Sequence, residues 1–136
     1  MTVPPIPDPD PASAHFFASL DAGKLSLLRC LTCATPHLAA LTCDACDGDR
    51  FRTERASGRG VIHSLTRVHM AHHPAFAGQL PVIGGIVELA EGPRLFAPLI
   101  GDGPFAIGDE VRCEIRVHDG RGIAAFCAGR KLGEPV

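Results

Sequence analysis

The residues with the clearest chemistry are four cysteines arranged as two pairs. Cys30 and Cys33 form one Cys-x2-Cys pair, and Cys43 and Cys46 form a second pair after an interval of nine residues. Each pair can place two thiolates on one tight loop, and two such loops facing each other supply the four soft ligands that a tetrahedral Zn²⁺ site prefers. The spacing therefore predicts a structural zinc site whose four protein ligands leave no open position for catalysis.

Other uses of these cysteines fit the sequence less well than zinc. Two disulfides would need an oxidising compartment, and a redox Cys-x-x-Cys normally lies in a βαβ pattern that is missing here. Iron in a rubredoxin-like site uses the same ligands but usually has glycine directly after each pair. Ala34 and Asp47 occupy those places, which favours zinc over iron. His37 lies between the pairs and could replace one cysteine as a ligand, but it is interpreted as a loop residue because four thiolates already complete a site.

The composition excludes several function classes. A hydrophobic content of 46% over 136 residues predicts a folded chain with a core. The net charge of −2 and the absence of Trp and Tyr argue against nucleic-acid binding, which normally needs basic excess and stacking aromatics. Residues 1–14 lack the basic and apolar regions of a signal peptide, and the apolar stretch 81–90 is too short to cross a bilayer. The chain is therefore predicted to be cytoplasmic, with no membrane partner.

The pattern along the chain predicts a mainly β protein with an N-terminal helix, a rubredoxin-like zinc ribbon and a five-stranded OB-fold barrel. Residues 1–23 are the arm and helix, 24–54 the ribbon, 55–130 the OB-fold and 131–136 a tail. The helix is expected over Pro11–Ala22, with Asp10 as its N-cap. The Gly84–Gly85 pair predicts a bulge or sharp coil. The barrel strands are expected at Gly60–Val68, Val82–Leu89, Arg94–Leu99, Val111–Val117 and Ile123–Cys127.

Two further groups of residues allow both a structural and a functional interpretation. Phe16 and Phe17 on the helix either cover the ribbon or barrel, or dock into a groove of a partner. Arg52, Arg55 and Arg59 belong to a run of arginines that is either a solvated edge strand or a phosphate-binding strip. The structural interpretation is favoured for the phenylalanines because large apolar side chains are usually buried, and for the arginines because Asp44, Asp47 and Asp49 dilute their field.

Several remaining residues are interpreted without a functional role. Cys113 and Cys127 lie in apolar β-like surroundings and are expected to be buried, reduced thiols. His69, His72 and His73 follow the first barrel strand without accompanying acids or cysteines, so a solvated loop is favoured over a second metal site.

Taken together, these motifs resemble the DUF35 family, which joins a rubredoxin-like zinc ribbon to an acyl-CoA-associated OB-fold. The resemblance covers roughly residues 12–128 and departs from the family mainly at Ala34, Asp47 and the single Pro36. It implies a non-catalytic partner of a thiolase-superfamily enzyme that helps to bind acyl-CoA. The matching motifs are Gly23-Lys24-Leu25, the cysteine quartet, Ser57-Gly58-x-Gly60-x2-His63-Ser64, Pro81-x5-Val87-x-Leu89-x-Glu91-Gly92-x-Arg94 and Gly108-Asp109-x-Val111.

Two functions of different classes follow. The first is an accessory subunit that binds a thiolase-like partner in a hetero-oligomer, with Arg52, Arg55 and Arg59 as candidate contacts to the CoA phosphates and Phe16 and Phe17 as candidate contacts to the partner. The alternative is a zinc-ribbon and OB-fold module that binds single-stranded nucleic acid. No catalytic residue is predicted, because no nucleophile–base pair is recognisable in the sequence.

Overall fold

The computed structural model describes residues 8–70 and 82–129, together with Pro74 and Gly78. Residues 1–7 of the predicted arm, the tail at 131–136 and the histidines His72 and His73 lie outside the described residues. Within this part of the chain, no helix has the length and apolarity needed to span a bilayer. One helix, α1 (Ala14–Asp21), precedes eight strands: β1 (Ser26–Cys30), β2 (Pro36–His37), β3 (Phe51–Arg55), β4 (Arg59–Val68), β5 (Val82–Leu89), β6 (Arg94–Pro98), β7 (Glu110–His118) and β8 (Arg121–Ala128).

The strands form two antiparallel sheets in the order predicted for a ribbon followed by a barrel. The first sheet has the order β2-β1-β3, and the second has the order β6-β5-β4-β7-β8. The outer strands of the second sheet approach each other through a parallel bridge between Leu99 and Phe126, where the Ile100 N–H donates to the Phe126 carbonyl at 2.8 Å. The five strands therefore make a nearly closed barrel, and the predicted fold class is confirmed.

The N-terminal helix is shorter than the predicted Pro11–Ala22. It begins at Ala14, because residues 11–13 form a separate turn. Asp10 Oδ1 accepts hydrogen bonds from the Ser13 N–H at 2.9 Å and the Ser13 hydroxyl at 2.8 Å. Asp10 therefore caps this turn rather than the helix itself. At the other end, Gly23 adopts a φ of 80°, which matches its expected role in ending the helix.

The bulge in the barrel lies on a different strand from the one predicted. The register between β4 and β5 shifts between Ile62 and Ser64, so the irregularity belongs to β4 and not to the Gly84–Gly85 pair. Close contacts with neighbouring residues explain the two glycines instead. A Cβ on Gly85 would lie 2.5 Å from the Ser64 carbonyl oxygen, and one on Gly84 would lie 2.9 Å from the Phe96 ring. Glycine is required at 85 because the backbone of β4 approaches too closely for a side chain, whereas a side chain at 84 would only displace the exposed Phe96 ring.

One hydrophobic core joins the helix, the ribbon and the barrel. Phe16 and Leu20 of α1 and Leu25 and Leu27 beside or within β1 belong to the same buried cluster as the inward side chains of the barrel. Leu27 has no exposed surface. Pooling the apolar surface of three small units gives each a core that it could not build alone. The barrel contributes Ala56, Ile62, Val87, Leu89, Ala97, Leu99, Val111, Ala124 and Phe126.

The two cysteines outside the quartet are free thiols, but they are only half-buried rather than buried as expected. Cys113 packs against the core, and burial raises its thiol pKa to about 11, with smaller contributions from Cys127 and Glu114. Cys127 is directly opposite Arg112 and follows the fully buried Phe126. Because neighbouring residues of a strand point to opposite faces, Cys127 lies on the outer face of the barrel.

The helix is fixed to the barrel where its C-terminus meets the start of β8. Asp21 Oδ1 accepts a hydrogen bond from the Gly122 N–H at 2.9 Å, and Asp21 Oδ2 lies 3.6 Å from Arg121 Nη1. A Cβ on Gly122 would overlap the backbone carbonyl of Leu20. The contact between backbones therefore depends on glycine at this position.

We expect Gly122→Ala to lower the free energy of unfolding by about 1–3 kcal/mol, because the added methyl group forces α1 away from β8. The measurement is urea denaturation followed by circular dichroism. Gly78→Ala is the control, since a Cβ there meets no atom within 4 Å. Equal stability of the two variants would contradict the predicted contact.

Candidate functional site

The four cysteines of the quartet converge at one end of the ribbon. Their sulfur atoms all lie within 4.8 Å of one another, and the Cys30–Cys46 and Cys33–Cys43 sulfur distances are both 3.5 Å. A tetrahedral site with metal–sulfur bonds of about 2.3 Å has sulfur–sulfur edges of about 3.8 Å. The four thiols are thus placed to hold one metal ion, and the pairing of two distant loops that the sequence predicted is present.

Each cysteine pair sits on a loop with the same backbone geometry. The Ala34 N–H donates to the Cys30 carbonyl at 2.9 Å, and the Asp47 N–H donates to the Cys43 carbonyl at 2.8 Å. Ala34 and Asp47 have φ values of 66° and 62°, in the left-handed region that favours glycine. The positions where the sequence departs from the usual glycine therefore keep the turn that glycine normally provides.

The surroundings of the sulfurs differ between the two members of each pair. Cys30 and Cys43 are buried, with 2% and 1% of their surface exposed, whereas Cys33 is exposed. The Thr35 hydroxyl lies 3.1 Å from the Cys33 sulfur. The inner sulfurs are therefore shielded from solvent, and the outer edge of the cluster faces it.

His37 has a more specific place than the loop position expected from the sequence. It lies in β2, and its Nε2 is 3.3 Å from the Cys43 sulfur. Its ring packs edge-on against Phe51 with 5.8 Å between ring centroids, and its Nδ1 is 3.9 Å from Asp44 Oδ1. The loop interpretation is therefore wrong. His37 lies beside the quartet, where a nitrogen against a ligand sulfur orients that sulfur.

The proton affinities of the thiols diverge because the four groups are so close. The hydroxyl and the backbone of Thr35 lower the pKa of Cys33 to about 6. The Gly48 backbone lowers the pKa of Cys46, but the neighbouring thiols of Cys33 and Cys30, together with burial, outweigh it and raise this pKa to about 12. Four thiolates cannot share this volume without a compensating cation, which a bound metal ion supplies.

The three arginines predicted to contact phosphate do not form one cluster. Arg52 Nη2 lies 2.6 Å from Glu54 Oε1, and Arg29 Nε lies 2.8 Å from Glu54 Oε2. Hydrogen bonds from Arg29 and then from Arg52 lower the pKa of the Glu54 carboxyl. Arg52 is thus part of an ion-pair network across the ribbon sheet. Arg55 is on the opposite face of β3, because neighbouring residues of a strand alternate between faces.

Arg59 instead lies beside an open groove of about 910 Å³ on the barrel. The groove also contains Arg112, which is directly opposite Arg59 in the register between β4 and β7. Both arginines are exposed, and neither has an ion-pair partner within the described ranges. Of the acidic residues that line the groove, Glu88 lies 3.7 Å from Arg94 and Glu110 is opposite Val61.

Arg112 was missed in the sequence analysis. The alternation of Val111–Val117 already indicated that its side chain faces outward. Its position beside Arg59 depends on the pairing of strands fifty residues apart, which the sequence does not specify. The sequence therefore indicated that the Arg112 side chain faces outward, but not that it lies beside Arg59.

The rim of the groove is tied down by Glu91, in the turn between β5 and β6. Glu91 Oε2 accepts a hydrogen bond from the Ser57 N–H at 2.7 Å, and the Ala90 N–H donates to the Arg59 carbonyl at 2.9 Å. The Ser57 hydroxyl accepts from the Arg59 N–H at 3.2 Å. These bonds fix the segment that leads into Arg59 and give Glu91 a structural role.

The two phenylalanines of α1 are packed against the protein itself. Phe16 is buried in the core, and Phe17 is half-buried against it, with 5.6 Å between the two ring centroids. These contacts support the covering interpretation for Phe16. Docking of Phe16 and Phe17 to a partner stays a prediction, as do the contacts of Arg52 and Arg55 with CoA phosphates.

A four-cysteine ribbon joined to a nearly closed OB barrel defines the rubredoxin-like ribbon and OB-fold class of small β proteins. Residues 53–116 match the family model of the ChsH2 C-terminal OB-fold domain. The chain superposes on a chain of the solved Ltp2-ChsH2(DUF35) aldolase with a TM-score of 0.82 and 28% identity, covering 92% of this chain and 100% of that one. These similarities support assignment of the chain to the DUF35 family.

One curated relative comes from Thermomonospora curvata and is described as a probable enoyl-CoA hydratase alpha subunit. It is 33% identical to this chain over 96 residues, which cover 70% of this chain and 30% of the relative. The chain therefore corresponds to only a part of that longer protein.

The quartet geometry predicts one metal ion per chain, measured by elemental analysis of the purified protein. We expect Cys43→Ala to abolish the bound metal and to lower the free energy of unfolding by several kcal/mol, because metal binding closes the ribbon. Cys127→Ala is the control, with full metal content and a loss of about 1 kcal/mol or less. Metal content that survives Cys43→Ala would contradict the assignment.

Proposed function

We propose that this protein is a non-catalytic accessory subunit of a thiolase-superfamily enzyme, whether a thiolase, an aldolase or an acyltransferase. The observation that best supports this proposal is the structural similarity to a complete chain of the two-component aldolase Ltp2-ChsH2(DUF35). The similarity to an enoyl-CoA hydratase subunit points to CoA-dependent enzymes as well. The chain contributes a folded surface to a shared assembly, and the reacting groups belong to the partner.

The metal in this proposal is zinc with a structural role. Four thiolates are the ligand set of structural zinc sites, and they leave no coordination position for a substrate. When bound, the ion supplies a crosslink between two loops and the charge that keeps four thiols deprotonated. Thiolate ligands persist in a reducing compartment, so we also propose that the protein works in the cytoplasm.

The groove on the barrel is the proposed contact site for acyl-CoA. Arginine side chains bind phosphate oxygens through two parallel N–H donors, and CoA carries three phosphate groups at one end. Arg59 and Arg112 are exposed, adjacent and without an ion-pair partner in the described part of the chain. Four glycines, at 58, 60, 92 and 129, also line the groove, and the space beside Gly92 is open, since a Cβ there would meet no atom within 4 Å. Together these features support a phosphate contact that complements the acyl site of the partner.

The first experiment isolates the tagged protein from its native host and identifies bound proteins by mass spectrometry. We expect a thiolase-superfamily protein in stoichiometric amount. The lone chain is expected to show no turnover of acyl-CoA. If no such partner is recovered, or if the lone chain cleaves or transfers a thioester, the proposed function is wrong. Binding of a single-stranded oligonucleotide that weakens steeply with salt would instead support the nucleic-acid hypothesis.

The groove predicts a specific loss in the purified complex. We expect Arg59→Ala and Arg112→Ala each to weaken binding of free CoA about tenfold, because a charge-assisted hydrogen bond contributes about 1.5–3 kcal/mol. Isothermal titration of the complex measures the change. Arg116→Ala is the matched control, since that exposed arginine pairs loosely with Glu114 at 3.8 Å and is outside the groove lining. Equal losses in all three variants would show a general charge effect and not a groove.

A further inference from the structure

The ribbon sheet has one long open edge, and it is formed by β3. In the order β2-β1-β3, β3 pairs with β1 along its full length and occupies the end of the sheet. An edge strand carries backbone donors and acceptors that a further strand can use. The described residues provide no such further strand for β3.

The register shows which residues of β3 carry the open groups. The Leu31 N–H donates to the Arg50 carbonyl at 2.9 Å, and the Ala56 N–H donates to the Leu25 carbonyl at 2.8 Å. Since hydrogen-bonded and non-hydrogen-bonded pairs alternate in an antiparallel ladder, Arg52 and Glu54 also turn their backbone groups toward β1.

It follows that the backbone N–H and C=O groups of the odd-numbered residues point away from the sheet. These residues are Phe51, Thr53 and Arg55, and their backbone groups have no partner in the described ranges. Thr53 and Arg55 are exposed, and Phe51 is half-buried. The open backbone groups of these three alternating residues can pair with a short strand that a partner adds to the sheet.

The charges near this edge are unbalanced. Residues 50–59 contain four arginines and one glutamate, whereas Asp44, Asp47 and Asp49 all lie before the strand, at its Arg50 end. Glu54 is already engaged by Arg29 and Arg52. Arg50 and Arg55 are exposed, and no ion pair of either is found within the residues described. Asp49 offsets the charge of Arg50, but the Arg55 end of the open edge carries a free positive charge, which favours an acidic occupant.

We propose that the thiolase-like partner adds an extended, acidic segment to β3 and continues the ribbon sheet. This inference rests on the proposed function, because it takes the partner to be that enzyme. Backbone hydrogen bonds to Phe51, Thr53 and Arg55 supply the register, and acidic side chains of the segment meet Arg55. Arg55 thus contacts protein and not the phosphates of CoA. Charges on an edge can also serve only to prevent pairing, and the experiment separates the two roles.

The direct test is amide hydrogen exchange on the purified complex and on the lone chain, read residue by residue by NMR. In the lone chain, the amides of Thr53 and Arg55 should exchange rapidly, whereas those of Arg52 and Glu54 should already be protected by β1. In the complex, the amides of Thr53 and Arg55 should slow at least tenfold, because they donate to the added strand.

Two variants test the backbone and the charge separately. Thr53→Pro removes the outward donor but no bond to β1, and edge strands accept proline at such positions. Arg55→Glu reverses the charge. We expect each to weaken the complex at least tenfold, with the metal content and circular dichroism of the lone chain unchanged. Arg67→Glu is the control, since Arg67 is an exposed arginine of β4, and it should change the affinity less than twofold.

The outcomes separate this inference from the function on which it rests. If the wild-type protein recovers no thiolase-superfamily partner, the proposed function fails. If a stable complex forms while the Thr53 and Arg55 amides stay rapid and both variants bind normally, the accessory function stands and the edge inference is overturned. Protection that appears in the lone chain and rises with its concentration would assign the edge to a second copy of this chain and would also overturn it.

Discussion

The convergence of four sulfur atoms within 4.8 Å is the constraint on which the rest of the molecule depends. It joins two loops that are separated by nine residues and share one backbone geometry. The first of these loops follows β1 directly, so the position of the sulfurs also fixes where β1 enters the protein. Because Leu25 and Leu27 reach the core from this segment, the cluster determines how the ribbon meets the barrel. A bound ion therefore stabilises more than the loops that hold it.

The shared core explains why the helix, the ribbon and the barrel act as one unit. A 136-residue chain that divided its apolar residues among separate cores would bury too little surface in each to offset chain entropy. Here α1 covers the barrel with Phe16 and Leu20, and its last turn meets the backbone of Gly122. The same packing uses a phenylalanine that the sequence allowed as a docking residue. The buried Phe16 thus serves the core of this protein.

The arginines of the chain serve different purposes because each has a different neighbour. Arg52 shares Glu54 with Arg29 and thereby ties β3 to β1. Arg59 and Arg112 are opposite each other on the barrel, where the nearby Glu88 is engaged by Arg94. Free guanidinium groups attract anions or acidic protein segments, whereas paired ones mainly orient the backbone. The distribution of partners, and not the number of arginines, separates a structural strip from a binding surface.

The sequence by itself determined the features that depend on local spacing. The cysteine intervals specified the quartet, the alternation of side chains specified the barrel strands, and β5 has the predicted bounds of Val82–Leu89. Tertiary structure decided what depends on pairing between distant segments. The bulge lies in β4 because of the register in which β4 pairs with β5. His37 contacts Cys43 because β2 pairs with β1, and Arg112 lies opposite Arg59 because β7 pairs with β4. The local sequence specifies the period of a strand and the face to which each side chain points. Contacts between distant strands depend on their register, which is set only when the whole core packs.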